Sequence, residues 1–176
     1  MMMETGILSG REEEALIWDY FKPRHTHAWN MLVLSWRELD KSNEAGFEIE
    51  YLWENFILRL WLYRTTIRTL TKLTLVEGEA KRVLKAFDGS FDANGQNALK
   101  ALRDMIEHFD DYAAGEGRGP AMRERDLDPW RQTSRDRYER GLFCLERRPS
   151  YEAAIKLRAD AKGVSDKFIQ RYKLPE

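Results

Sequence analysis

The feature that most constrains this chain is a stripe in the stretch that starts near Phe47. Trp53, Phe56, Leu60, Tyr63, Ile67 and Leu70 recur every three or four residues for five turns or more. That period is the α-helical one, so the residues predict one long helix with a single large apolar face. Such a face buries itself against other helices, as a bundle core or a dimer seam. Lining a cofactor cavity is a less common use for it.

Other segments carry the same period. "SGREEEALIWDYF" opens with Ser9 and Glu12 at capping-box spacing, and Pro23 is expected to stop that helix. "THAWNMLVLSWRELDKS" puts Trp29, Leu32, Val33, Trp36 and Leu39 on one face. "EGEAKRVLKAF" reads as a shorter helix ended by the turn "DGS". A further helix is expected from Asn94 to Ala113, before the break at "GEGRGP". Ser150 is placed to cap a last helix with Ala154, Leu157, Ala161, Val164 and Phe168 inward.

The span 118–148 differs in kind, with nine arginines and no lysine. "WRQTS" and "RYERGLFCL" read as two short strands of a hairpin. The fold expected is all-α: an antiparallel bundle of about five to six helices, with a possible small hairpin before the last helix. Residues 1–176 form one domain in this reading, with 118–149 as an arginine-rich irregular excursion.

Charge and cysteine content narrow the function. A net charge of -1 gives no global pull toward nucleic acid or an anionic membrane, so any such contact must be local. One cysteine, Cys144, allows no internal disulfide and no cysteine-based zinc site within one chain. "FILRLWLY" is broken by Arg59 and is too short to span a bilayer. The N-terminus lacks the cationic start and apolar run of a secretory signal. A cytoplasmic protein with no membrane contact is expected.

Chemistry concentrates in "ALRDMIEHFDDY", residues 101–112. On a continuous helix Arg103 and His108 point about 140° apart. They flank a stripe of Leu99, Leu102, Ile106, Phe109 and Ala113, with Asp104, Glu107 and Asp111 on the outward arc. Asp104 lies one turn before His108 and Tyr112 one turn after it, both within reach. A carboxylate on one imidazole nitrogen fixes the tautomer and supports a general base. A two-fold dimer pairing these helices brings the arginine of one subunit near the histidine of the other. A solvated charge face is the plain alternative.

Read as "RDMIEH", this pattern resembles the signature of the HEPN superfamily: arginine, a polar residue, then histidine at this spacing. Members are all-helical and commonly dimeric, and many are metal-independent ribonucleases of toxin–antitoxin or antiphage systems. The resemblance implies RNA cleavage by attack of the ribose 2′-hydroxyl on the adjacent phosphate. His108 would be the general base or acid, Arg103 would stabilise phosphoryl charge and Asp104 would orient His108, with no metal and no cofactor. It implies a homodimer, RNA as substrate, and an antitoxin or other protein partner. In one branch a tyrosine two residues after the histidine is modified to silence the toxin. Here Tyr112 lies four residues after His108, a departure from that branch.

Three further residues are expected to bind or modulate substrate: Tyr112, and Arg118 and Arg137 from the arginine-rich span. Arginine suits phosphate gripping, and Trp130 and Tyr138 are candidates to stack on bases. Six interspersed acidic residues leave an excess of three positive charges, which equally fits a salt-bridged surface. His25 and His27 in "RHTHAWN" read as polar residues at a helix start, poorly placed to share an ion. Arg64 and Arg68 either add to the cleft or pair with acidic neighbours. The competing functional reading is a non-catalytic HEPN-like module that dimerises and binds a nucleotide or protein. A helical interaction protein unrelated to that family is a third. A metal-dependent hydrolase has no convincing ligand set.

Overall fold

The structure, a computed structural model, describes residues 10–43, 45–93, 95–108 and 133–173. Five α-helices and two small two-stranded sheets make up the ordered elements among them, an all-α arrangement with a hairpin before the last helix.

Helix α1 runs Gly10–Lys41, uninterrupted through Pro23. The two helices expected on either side of Pro23 are therefore one. Proline lacks the N–H that would bond the Asp19 carbonyl, and its ring crowds that turn. The helix continues because both halves share one buried face: Phe21 before the proline, and Ala28, Trp29, Leu32 and Leu39 after it. Tertiary packing outweighs a single lost bond. The Ser9 cap lies outside the described residues.

Gly46, at φ 65°, turns the chain into α2, Phe47–Ile67. A positive φ suits glycine because it has no Cβ to clash. All six residues of the predicted stripe are fully buried, from Trp53 to Leu70. Burying a side chain of this size contributes about 1.5–3 kcal/mol, so this face is the main apolar anchor of the fold. Helices α1 and α2 are antiparallel, with Trp36 facing Phe56 and His25 facing Tyr63.

Two 3₁₀ turns, Arg68–Lys72 and Thr74–Val76, lead into α3, Glu77–Gly89. Buried Glu14 of α1 fastens the second turn by accepting from the Thr74 N–H at 2.6 Å and from its hydroxyl. Strands β1 (Asp92–Ala93) and β2 (Gln96–Asn97) pair around Gly95 at φ 77°.

Helix α4 spans Ala98–Glu107 and packs on α2. It starts four residues later than expected because Asn97 caps it, its side chain accepting from the Lys100 N–H at 2.8 Å. Ala98, Leu99, Leu102 and Met105 are buried. Phe109 and Ala113 of the expected stripe lie outside the described residues.

Both strands of the second hairpin lie inside "RYERGLFCLE": β3 is Arg137–Arg140 and β4 Phe143–Glu146. "WRQTS" is not its partner strand, since Ser134 precedes β3 and bonds back to Arg137. Gly141, at φ 56°, makes the two-residue turn possible. The hairpin buries Tyr138, Phe143 and Leu145. It docks on α2 where the Trp53 indole N–H donates to the Ser134 carbonyl at 2.6 Å.

Helix α5, Arg147–Lys173, begins three residues before Ser150, which is buried within it. Pro149 falls in its first turn, where the missing N–H has no intrahelical partner to lose. Its predicted inward residues, Ala154 to Phe168, are all buried. It runs antiparallel to α1: Trp36 stacks on Tyr151 at 4.3 Å, Trp18 meets Phe168 at 5.1 Å, and Arg11 donates to the Tyr172 carbonyl at 2.6 Å. Residues from all five helices share one core.

Candidate functional site at the end of the fourth helix

Arg103 lies on the α4 flank that faces α2. Its guanidinium stands 4.7 Å from the centre of the Trp61 ring, and that of Arg64 stands 4.9 Å from the same centre. Two cations against one indole gain from the ring's negative faces. Each is also paired with acid. Arg64 grips Asp88 with both arms, Nε to Oδ1 at 2.9 Å and Nη2 to Oδ2 at 2.5 Å. Arg103 pairs through Nη1 with Asp104 at 3.0 Å and with Glu107 one turn on.

The Arg103 side chain is 18% exposed, and its Nε is buried with no hydrogen-bond partner among the described residues. Among the described residues the fork is thus half engaged: Nη1 serves two carboxylates while Nε donates to none. Five side chains, Arg64, Arg103, Asp88, Asp104 and Glu107, form a dense charge cluster around Trp61.

His108 is the C-cap of α4, at φ −124° and ψ 40°, outside helical conformation. The 140° angle expected between Arg103 and His108 therefore does not apply, because it assumed a helix continuing to residue 113. The His108 N–H donates to the Asp104 carbonyl at 3.0 Å, and the residue is exposed. Asp104 thus touches both motif residues, Arg103 through its carboxylate and His108 through its backbone.

The remaining expected site residues divide. Tyr112 and Arg118 lie outside the described residues, as does Trp130. Arg137 sits on β3 opposite Glu146 and pairs with Glu139. It lines a half-open groove of about 300 Å³ with Asp136, Glu146, Arg147, Arg148 and Pro149. Tyr138 is no stacking platform for bases: it is 1% exposed, packs on Trp53 and donates to Glu54 at 3.3 Å. Burial pushes the Glu54 carboxyl up, partly offset by that bond.

Several arginines of the rich span are held within the fold. Arg140 pairs with Glu50 of α2 and lies 4.8 Å from the Tyr138 ring. Arg147 is 6% exposed, lies over Trp36 at 5.1 Å and pairs with Asp40 and Asp136. Its guanidinium holds the Asp136 carboxyl below the usual carboxylate range.

His25 and His27 lie mid-helix in α1. His25 Nε2 is 2.9 Å from the Tyr63 hydroxyl, and burial, aided by Arg158, lowers its pKa. Among the described residues no group of His, Cys, Asp and Glu side chains is arranged to hold a metal ion, and no helix is long and apolar enough to cross a membrane.

Sequence reasoning missed Trp61, which sits off the stripe beside Leu60 and meets Arg103 only through tertiary packing. Glu107 was legible, one turn after Arg103 and placed for an i,i+4 ion pair. Compared with protein-family models, curated proteins and solved structures, the chain matches none.

Proposed function

We propose that this chain is a HEPN-like, metal-independent endoribonuclease, a toxin or antiphage effector acting in the cytoplasm as a homodimer. Arg103 of one protomer and His108 of the other would meet at one RNA phosphate. The observation that carries this reading is Asp104: its carboxylate lies 3.0 Å from Arg103 and its carbonyl accepts from the His108 N–H at 3.0 Å. One residue thereby ties the Arg103 guanidinium and the His108 backbone to the same helix end.

In this chemistry His108 removes the proton of the ribose 2′-hydroxyl and the freed oxygen attacks the neighbouring phosphorus. The bond from phosphorus to the 5′-oxygen breaks, that oxygen takes a proton from solvent, and a 2′,3′-cyclic phosphate remains. Arg103 stabilises the charge that builds on the phosphoryl oxygens. An antitoxin or other protein partner would hold the activity in check.

A second reading is a non-catalytic HEPN-like module that dimerises and binds a nucleotide or protein. The two carboxylates already on Arg103 favour it, because they oppose phosphate approach.

Cleavage of a mixed RNA pool in EDTA, by wild type and His108→Ala with solution masses measured, separates the two. Cleavage by a dimeric wild type, lost in the variant, supports the ribonuclease. A dimer without cleavage in either protein supports the module.

A further inference from the structure

The acidic residues around Arg103 hold a second message, which rests on the ribonuclease reading above. Trp61 supports one side of the guanidinium, at 4.7 Å from ring centre to Cζ. Asp104 and Glu107 both approach Nη1, and Glu107 is the more exposed, its side chain 44% accessible against 31% for Asp104. A carboxylate and a phosphodiester present the same feature to a guanidinium, namely a pair of anionic oxygens. Their seats on the fork therefore coincide.

We propose that Glu107 occupies the phosphate seat of Arg103, so that an RNA phosphodiester binds by displacing its carboxylate. Asp104 adjoins Arg103 in sequence and stays beside it through the exchange. Glu107 stands at the solvent edge near the helix end, with the rotamer freedom to swing away. The pair it leaves is solvent-exposed and therefore weak, so displacement is accessible to an incoming phosphate. In this arrangement Glu107 sets RNA affinity and its salt response, and takes no part in the bond-breaking step.

The test is binding of a fluorescein-labelled single-stranded RNA by anisotropy, alongside cleavage in EDTA. It compares wild type, Glu107→Gln, Arg103→Ala/Glu107→Gln, and Asp166→Asn, an exposed acid of α5 that controls for net charge. Glu107→Gln is expected to bind about fivefold tighter at low salt, the equivalent of losing one exposed ion pair. The gain should shrink as salt screens the site. It should be absent in Asp166→Asn and vanish without Arg103.

If wild type binds and cleaves RNA while Glu107→Gln binds no tighter, the displacement idea is overturned and the ribonuclease stands. If the gain persists without Arg103, or equals that of Asp166→Asn, it reflects bulk charge and the proposal also falls. If RNA binds tighter to Glu107→Gln but no protein cleaves it, the phosphate seat holds and the catalytic reading fails. If none binds RNA, both fall together.

Discussion

His25, half-buried on α1, reaches to the Tyr63 hydroxyl of α2, Nε2 to oxygen 2.9 Å. Phe21 packs on one side of the imidazole at 5.2 Å between ring centres, and Tyr63 is fully buried. Burial also raises the Tyr63 phenol, so it stays protonated and can donate to the imidazole.

This pair makes stability depend on pH in a defined direction. The imidazole pKa is lowered in the folded chain, first by burial and then by Arg158. Below about pH 6.5 the unfolded chain takes up a proton that the folded one declines. Stability should therefore fall as pH drops from about 6.5 through the lowered value, and level off below it. Urea denaturation at neutral and mildly acidic pH checks this: His25→Gln should lose less stability between the two than wild type. Equal losses would remove His25 as the cause.

Pro23 offers a stabilising change. The helix passes through it with the Asp19 carbonyl deprived of its usual donor, while the packed face holds on both sides. Pro23→Ala restores that N–H and relieves the ring's crowding, against a more flexible unfolded chain. We expect a net gain of about 1–2 kcal/mol, read as a higher urea midpoint with an unchanged slope. A loss would mean that the freedom proline removes from the unfolded chain outweighs the restored hydrogen bond.

Arg147 tests whether guanidinium geometry or charge alone holds the hairpin. Its Nε and Nη2 both reach Asp136 Oδ1, at 3.1 and 2.7 Å, while its plane lies over Trp36. A lysine keeps the charge but loses the fork and the stacking. Arg147→Lys should cost about 1–2 kcal/mol by chemical denaturation. Because Arg147 holds the Asp136 pKa down, this pairing contributes above the ordinary aspartate range and is lost as pH falls through the depressed value. The difference between wild type and Arg147→Lys should therefore narrow in acid. A constant difference would assign the effect to packing on Trp36.

The sequence was most readable where one period governs many residues. The α2 stripe and the inward face of α5 follow from spacing alone, and every residue assigned to them is buried. Pro23 misled because a local rule met a longer-range demand: two apolar faces in line outweigh one missing hydrogen bond. The hairpin was expected in the right region, but its turn is Gly141–Leu142, inside the segment read as a single strand. At the candidate site, Asp104 and Glu107 were visible as helical neighbours of Arg103. Trp61 was not, since it lies 42 positions earlier and no local pattern links it to the motif. The end of α4 at Glu107 was equally hidden, because "IEHFDDY" contains neither proline nor glycine.

The pairing of α1 with α5 bears on how the chain is made. Trp18 rests on Phe168, and Arg11 holds the Tyr172 carbonyl across 161 positions of sequence. On the ribosome, α1 emerges before α5. Helices α1 and α2 can associate early, but the amino-terminal half of α1 keeps Trp18 without its Phe168 neighbour until α5 has emerged. A nascent chain thus carries a sticky aromatic surface for as long as the segment between α1 and α5 takes to be made, a natural landing place for a chaperone.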